Sequence, residues 1–338
     1  MKPIVTGVLG YGFSGRIFHC PFIDAHEHFE LKTVVQRHAN TAKDDYPYIH
    51  VAKDYQELLD DEEIELVVIT TPSHLHFEHA KQALEKNKHV LIEKPYTATY
   101  EQAVELNRIA DEKNLFISAY QNRRYDGDFL TLSELKKQGM FEKLYEVSMV
   151  WDFNYPVQKE NWREQDYEGA NFVFDLGAHF IDQALHLFGE PKDLYSISKK
   201  VREGSKVDDW FEVLFDYGDY VARIKHSCAA LIEEPRYTIQ TNQGTYQFHK
   251  MGEQEPQLIQ GVRPLDPDYG DNSLYDYYKL DGTMEKRRVI KGNYLMFYTQ
   301  MARAIRLGEQ PEVTKESAAK VIQYLERIAN VNKAIQQV

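Results

Sequence analysis

Residues 89–97 read His-Val-Leu-Ile-Glu-Lys-Pro-Tyr-Thr, and the fold follows from how this stretch is read. The apolar run Val90-Leu91-Ile92 stops abruptly at an acid, a base and a proline: Glu93, Lys94 and Pro95. A short apolar run ended by a breaker is the signature of a fully buried parallel strand. Pro95 has no N–H to give to a ladder, so the strand ends there. Charges set just past the carboxyl end of such a strand occupy the edge where open α/β sheets bind ligands. The tripeptide alone fits equally well a strand that simply ends in solvated charge.

Upstream, Ile4–Leu9 is a second apolar strand, followed directly by Gly10-Tyr11-Gly12-Phe13-Ser14-Gly15. A GxGxxG between a strand and a helix, here Ser14 to about Ala25, suits a pyrophosphate. Gly10 permits the tight turn, Gly12 lets the backbone approach the phosphates, and Gly15 lets helix pack on strand. The next strand, Leu31–Gln36, ends in Arg37-His38 and carries no acid at its tip. An acid there would hold the ribose 2′-hydroxyl of NAD, whereas a guanidinium grips a 2′-phosphate in bidentate fashion. NADP is therefore the expected cofactor, with NAD as the alternative. A strand at Ile64–Thr70 closes in Thr71-Pro72-Ser73-His74-Leu75-His76 and a helix to Lys86. His74, His76 and His79 lack the carboxylate or thiolate that would complete a tetrahedral metal set, so the loop is expected to line the nucleotide crevice and no metal is expected. A helix at Thr99–Asn114 and a strand at Leu115–Ala119 complete a doubly wound parallel sheet, a Rossmann domain assigned to residues 1–122.

Beyond Asn122 the pattern changes. A helix at Asp128–Gln138 is followed by runs at strand spacing: 144–153, 193–200, 210–216, 220–228, 237–241 and 245–249. Hairpin turn chemistry at Asp216-Tyr217-Gly218-Asp219 and Asn242-Gln243-Gly244 makes the sheet mostly antiparallel. Residues 123–338 are thus read as an α+β domain with a large open sheet. The Gly-, Pro- and Asp-rich segment 253–293 reads as a long loop or insertion, and helices near 294–307 and 315–336 close the chain. Within this domain, Phe174–Phe188 is an apolar helix on which Asp175, His179, Asp182 and His186 form one stripe at 100° per residue. Alternating Asp and His suits proton transfer, with a carboxylate fixing the imidazole tautomer. An inert polar face is the other reading of the same spacing.

The 338 residues carry a formal charge of −13, which disfavours nucleic acid, and no apolar run approaches the length of a membrane span. Two distant cysteines, Cys20 and Cys228, and an N-terminus that runs straight into a strand make the reducing cytoplasm the expected compartment. The 23 tyrosines suit strand faces or a buried interface.

Taken in order, VLGYGFSG, ITTPSHLHFEHA, VLIEKP and DLGAH resemble the Gfo/Idh/MocA oxidoreductases, the glucose–fructose oxidoreductase and inositol dehydrogenase family. GYGFSGRIFHCP, YQNRRYDGDFLT and DLGAHFIDQALHLFG are most similar to its NADP-dependent scyllo-inositol dehydrogenases. The resemblance implies a Rossmann domain, then an α+β domain whose open sheet forms a homodimer or homotetramer. It implies hydride exchange between nicotinamide and a polyol or sugar. Lys94, Asp175 and His179 carry over as the catalytic trio. Gly10, Gly12, Phe13, Ser14, Gly15, Thr71, Pro72, Ser73, His74, His76, Glu93 and Lys94 carry over as cofactor contacts, with Arg37 on the 2′-phosphate. Asn122, Trp162 and Arg163 would lie near the nicotinamide or the substrate. A non-catalytic NADP-binding sensor is the rival reading, and it needs no intact trio.

Overall fold

Six short strands pair in parallel in the computed structural model, which describes residues 1–157, 164, 165, 167, 169, 171–270 and 273–336. They are β1 (Ile4–Leu9), β2 (Phe29–Val35), β3 (His50–Ala52), β4 (Leu66–Ile69), β5 (His89–Ile92) and β6 (Ile117–Ala119), in the order β3-β2-β1-β4-β5-β6. Every residue of β4, and Val90, Leu91 and Ile92 of β5, are buried. Helices cover both faces, so these strands need apolar residues on both sides, each worth roughly 1.5–3 kcal/mol on burial. β1 pairs with β2 on one side and β4 on the other. The chain reverses its winding there, at the switch point beside which such sheets bind ligands.

β3 leaves no signal in the sequence. It has three residues, and its first, His50, is exposed, too little for a hydrophobic period to register. The helix Tyr100–Lys113 is marked at both ends. Thr99 and Gln102 form a reciprocal capping box, and Asn114 closes the helix in the left-handed region at φ 54°.

The second sheet holds β7 (Leu144–Asp152), β8 (Asp193–Lys199), β9 (Trp210–Asp216), β10 (Val221–Ser227), β11 (Tyr237–Thr241), β12 (Gly244–Phe248), β13 (Leu274–Tyr278) and β14 (Met284–Arg288). Their order is β14-β13-β12-β11-β7-β10-β9-β8, antiparallel except where β10 lies parallel to β7. One face is covered: Phe180 of the helix Ala178–Phe188 packs on Tyr237 and Trp151. The other face carries exposed Tyr195, Ile197 and Val221 beside an ion-pair lattice of Glu212, Arg223, Lys225, Glu234 and Asp152.

Segment 253–293 is not the structureless loop expected from its composition. It contains a helix, Gln254–Ile259, and the hairpin β13–β14 that extends the sheet. The pattern hid it because β14 reads Met-Glu-Lys-Arg-Arg, and an edge strand with no second face to bury has no apolar alternation. Stacking holds the hairpin instead: Tyr275 on Phe248, Tyr277 on Tyr246, and the Arg287 guanidinium 4.1 Å from the Tyr277 ring centre.

The chain forms two compact units. One comprises Met1–Asn122, Gln254–Tyr269 and Asn293–Lys320; the other comprises Arg123–Glu253, Gly270–Gly292 and Val321–Val338. Many tyrosines serve as core filler: Tyr96, Tyr120, Tyr125, Tyr237, Tyr246, Tyr294 and Tyr298 are among the largest fully buried side chains. No helix among the described residues is long and apolar enough to cross a membrane.

Candidate active site

In the first unit the turn after β1 is built as the glycine pattern requires. Gly10 has φ +113°, and a Cβ there would come within 2.6 Å of Thr70 Oγ1. A Cβ on Gly15 would collide with the Gly10 carbonyl. Gly12 differs, because a Cβ there would meet nothing within 4 Å. Packing does not demand that glycine, and the open space beside its backbone fits a group approaching from outside the chain. The following turn, Gly15–His19, is π-helical before Cys20–Ala25 continues as α-helix. The first N–H groups of such a helix have no partner in earlier turns, which suits a pyrophosphate. Ser14 is half-buried and Phe13 is exposed. Thr70, at the end of β4, donates from its hydroxyl toward the Leu9 and Gly10 carbonyls at 3.0 and 3.2 Å. This ties the two loops of the switch point together.

Arg37 and His38 are exposed just past β2. The charge of Arg37 is felt at His79, whose pKa falls to about 4, chiefly through burial. His79 Nδ1 lies 3.1 Å from the Thr71 hydroxyl. Lys53 supports the Arg37 loop from beneath, donating to the Ala39 carbonyl at 2.9 Å and to Asn40 Oδ1 at 3.3 Å. The loop therefore carries positive charge and no carboxylate from Gln36 to Thr41.

Thr71, Pro72 and His74 are half-buried and Ser73 is buried. His76 is only 1% exposed. Its Nδ1 sits 2.8 Å from the Pro95 carbonyl and its Nε2 2.8 Å from the Thr71 carbonyl. The ring thus bridges the loops after β4 and β5. Burial lowers its pKa, against the pull of the two carbonyls.

Glu93 is likewise engaged within the chain. The Ser14 hydroxyl and His19 Nε2 (3.0 Å) both reach Oε1, and the Lys94 N–H donates to Oε2 at 3.0 Å. Although burial raises its pKa, His19, Ser14 and Lys94 together bring it down to about 2, so the carboxylate is ionised. Lys94 is half-buried directly beyond β5, and the Lys94–Pro95 peptide is cis. Asn122 is 4% exposed after β6, and the neighbouring Gln121 has a buried Oε1 with no hydrogen-bond partner.

In the second unit, Asp175 lies on another π-helical turn, Val173–Gly177, and His179 on the α-helix that follows. The Asn171 side chain caps this start, accepting from the Phe174 N–H at 3.1 Å. Asp175 is half-buried. His179 is 4% exposed, with its ring 5.9 Å from the Trp151 ring.

The expected four-residue stripe divides. Asp182 belongs to Arg124, which grips it from Nε at 2.7 Å and Nη2 at 2.6 Å, with side chains 4% and 2% exposed. His186 is exposed, and its Nδ1 lies 3.3 Å from Arg124 Nη1. The arithmetic of 100° per residue could not foresee a guanidinium 58 residues upstream. It also does not hold across a π turn, whose hydrogen bonds close at i→i+5. Trp162 and Arg163 lie outside the described residues. His19, Tyr298 and Arg124, which organise these two regions, were not singled out in the sequence, where a buried histidine or arginine looks like any other.

Two family models match the chain. One, described as an oxidoreductase family with an NAD-binding Rossmann fold, matches residues 4–121; the other, the GFO/IDH/MocA C-terminal domain, matches residues 129–247. The chain is 34% identical to scyllo-inositol 2-dehydrogenase (NADP(+)) IolW of Bacillus subtilis (strain 168), over 98% of this chain and 94% of the relative. It is 31% identical to the uncharacterized oxidoreductase YdgJ of Escherichia coli (strain K12), over 96% and 94% of the two chains. The solved structure of yvaA from Bacillus subtilis superposes with a TM-score of 0.93 at 33% identity, covering 98% of this chain and 97% of that one. That of YPO2259 from Yersinia pestis superposes with a TM-score of 0.90 at 31% identity, covering 98% and 96%.

Proposed function

Because the chain belongs to the Gfo/Idh/MocA oxidoreductase family and is a dehydrogenase of that kind, we propose that it moves a hydride between NADP and a secondary alcohol or ketone of a cyclitol or sugar, with scyllo-inositol the first candidate. The observation that carries this reading is the half-buried Lys94 just past the carboxyl end of β5, next to Glu93, which is bonded to Ser14 of the glycine turn. The family, and the name of the relative from Bacillus subtilis, support the polyol class.

When bound, the nicotinamide supplies the hydride acceptor or donor; the rest of the chemistry falls to side chains. Removing hydride from a carbinol carbon requires the hydroxyl proton to leave, and His179 is the base that takes it. Asp175, four residues earlier, orients that imidazole or holds a neighbouring hydroxyl. The Lys94 ammonium donates to the reacting oxygen and stabilises the charge that develops on it. In the reductive direction His179 returns the proton. Arg37 holds the 2′-phosphate, helped by the positive Lys53 beneath its loop and the lack of a carboxylate there. The enzyme works in the cytoplasm as a homodimer or homotetramer assembled through the open face bearing Tyr195, Ile197 and Val221.

The test is a panel of cyclitols and aldoses with NADP⁺ and NAD⁺, followed by absorbance of the reduced cofactor. Turnover of at least one cyclitol or sugar, with NADP⁺ preferred, is expected. Tight NADP binding with no turnover of any polyol would replace this reading with that of a nucleotide sensor.

A further inference from the structure

His19 has no exposed side-chain surface, yet a carboxylate meets one edge of its ring and a hydroxyl the other. Nε2 lies 3.0 Å from Glu93 Oε1, and Nδ1 lies 2.9 Å from the Tyr298 hydroxyl. The ring also packs on Tyr120, with centroids 4.5 Å apart. Glu93 accepts hydrogen bonds only, so Nε2 must carry a proton. In the neutral ring, Nδ1 is then the lone-pair nitrogen and receives the Tyr298 O–H. The Phe18 carbonyl, within reach of both phenols at 2.9 and 3.2 Å, is left to Tyr120. Each partner can be satisfied by this one tautomer.

The same carboxylate takes the Ser14 hydroxyl on Oε1 and the Lys94 N–H on Oε2. Both its oxygens are therefore occupied by donors from the chain. Two of those donors, Ser14 and His19, come from the segment that leaves the glycine turn. The third is the backbone of Lys94 itself. Glu93 thus joins the glycine turn to the start of the Lys94 peptide, and His19 is its fully buried anchor.

We propose that His19 is a positioning residue for the reaction: through Glu93 it fixes the backbone of Lys94 relative to the glycine turn, with Nε2 protonated and Nδ1 bonded to Tyr298. The inference rests on the reading of Lys94 as the residue that meets the substrate oxygen. It also assigns Glu93 an internal role rather than a direct hold on the cofactor. A bond made by a buried imidazole N–H differs from general packing because a side chain of another shape with an N–H in the same place can replace it.

Three variants and one spectrum test this. His19→Leu keeps bulk and removes the donor; it is expected to lower kcat about 10- to 100-fold with KM for NADP⁺ within about threefold of wild type. His19→Gln restores an N–H toward Glu93 and is expected to recover most of that kcat. Equal kcat losses in the two variants, or a raised KM for NADP⁺ with kcat retained, would overturn the proposal. Lys94→Ala is assayed alongside. If it retains turnover, the premise fails and the inference with it; if it is inert while His19→Leu is fully active, the inference alone fails. In the unaltered protein without cofactor, ¹⁵N–¹H spectra of labelled histidine are expected to place the His19 proton on Nε2 and to shift in Glu93→Gln. A proton on Nδ1 with none on Nε2 would overturn the proposal, even if His19→Leu does not fold.

Discussion

Replacing Asp182 by alanine removes the carboxylate that Arg124 grips through two nitrogens, at 2.7 and 2.6 Å. The size of the effect depends on burial. An exposed pair would be worth about 0–1 kcal/mol. These side chains are 4% and 2% exposed, so the guanidinium loses this bidentate carboxylate out of reach of bulk water. Breaking such a pair from one side costs about 3–5 kcal/mol. His186, 3.3 Å from Arg124, carries no negative charge and does not compensate. Asp182→Asn, which keeps one acceptor oxygen, is expected to cost less. The double variant Arg124→Met/Asp182→Leu, which removes both charges and keeps the volume, is expected to lie within about 1 kcal/mol of wild type or above it. Urea unfolding followed by tryptophan fluorescence suits the test, because Trp151 and Trp210 lie in strands of the second unit and so report on it. With a slope of about 2–3 kcal/mol/M, the Asp182→Ala midpoint should fall by about 1–2 M. A loss under about 1 kcal/mol, or a double variant as unstable as Asp182→Ala, would refute the reasoning.

Glu93 makes stability depend on acid. Its pKa lies at about 2, below the ordinary 4.5, so its contribution is complete above pH ~4.5 and is lost as the pH falls through 2. Two and a half units at 1.36 kcal/mol each give about 3 kcal/mol, of which about 2 kcal/mol is gone by pH 3. The stability gap between wild type and Glu93→Gln should therefore narrow by about 2 kcal/mol between pH 6 and pH 3 in denaturant titrations, and a gap independent of pH would contradict this. Arg37→Ala should weaken NADP⁺ about 10- to 100-fold, as loss of a charge-assisted phosphate contact does, while leaving NAD⁺ within about threefold. Steady-state titration with each cofactor distinguishes this from an equal loss of both. Thr99→Ala removes a complete capping box and should cost about 1 kcal/mol in thermal unfolding.

The parallel sheet was legible because its strands, buried on both faces, show as unbroken apolar runs, and because Gly10 and Gly15 answer to sterics that sequence spacing already implies. The pattern failed where tertiary pairing replaces periodicity. β3 is three residues long, and β14 is an edge of charged residues held by stacked tyrosines. At the site, chemical type pointed to Lys94, Glu93, Asp175 and His179, but not to how each is held. Ser14 and Glu93 are 79 residues apart, His19 and Tyr298 279 residues. No local window joins them. The helix stripe is the clearest case. Its four side chains share an arc in the sequence, but a remote arginine takes Asp182 for structure and leaves Asp175 and His179 as the candidates for chemistry.

Lys94 and His179 are proposed to serve one hydride-transfer reaction. The most direct measurement is turnover of Lys94→Ala and His179→Ala with NADP⁺ and the best polyol from the panel, beside NADPH affinity by fluorescence titration. Each variant should lose about 10²–10⁴-fold in kcat while binding NADPH nearly as wild type does. Turnover within tenfold of wild type in either variant would contradict the account.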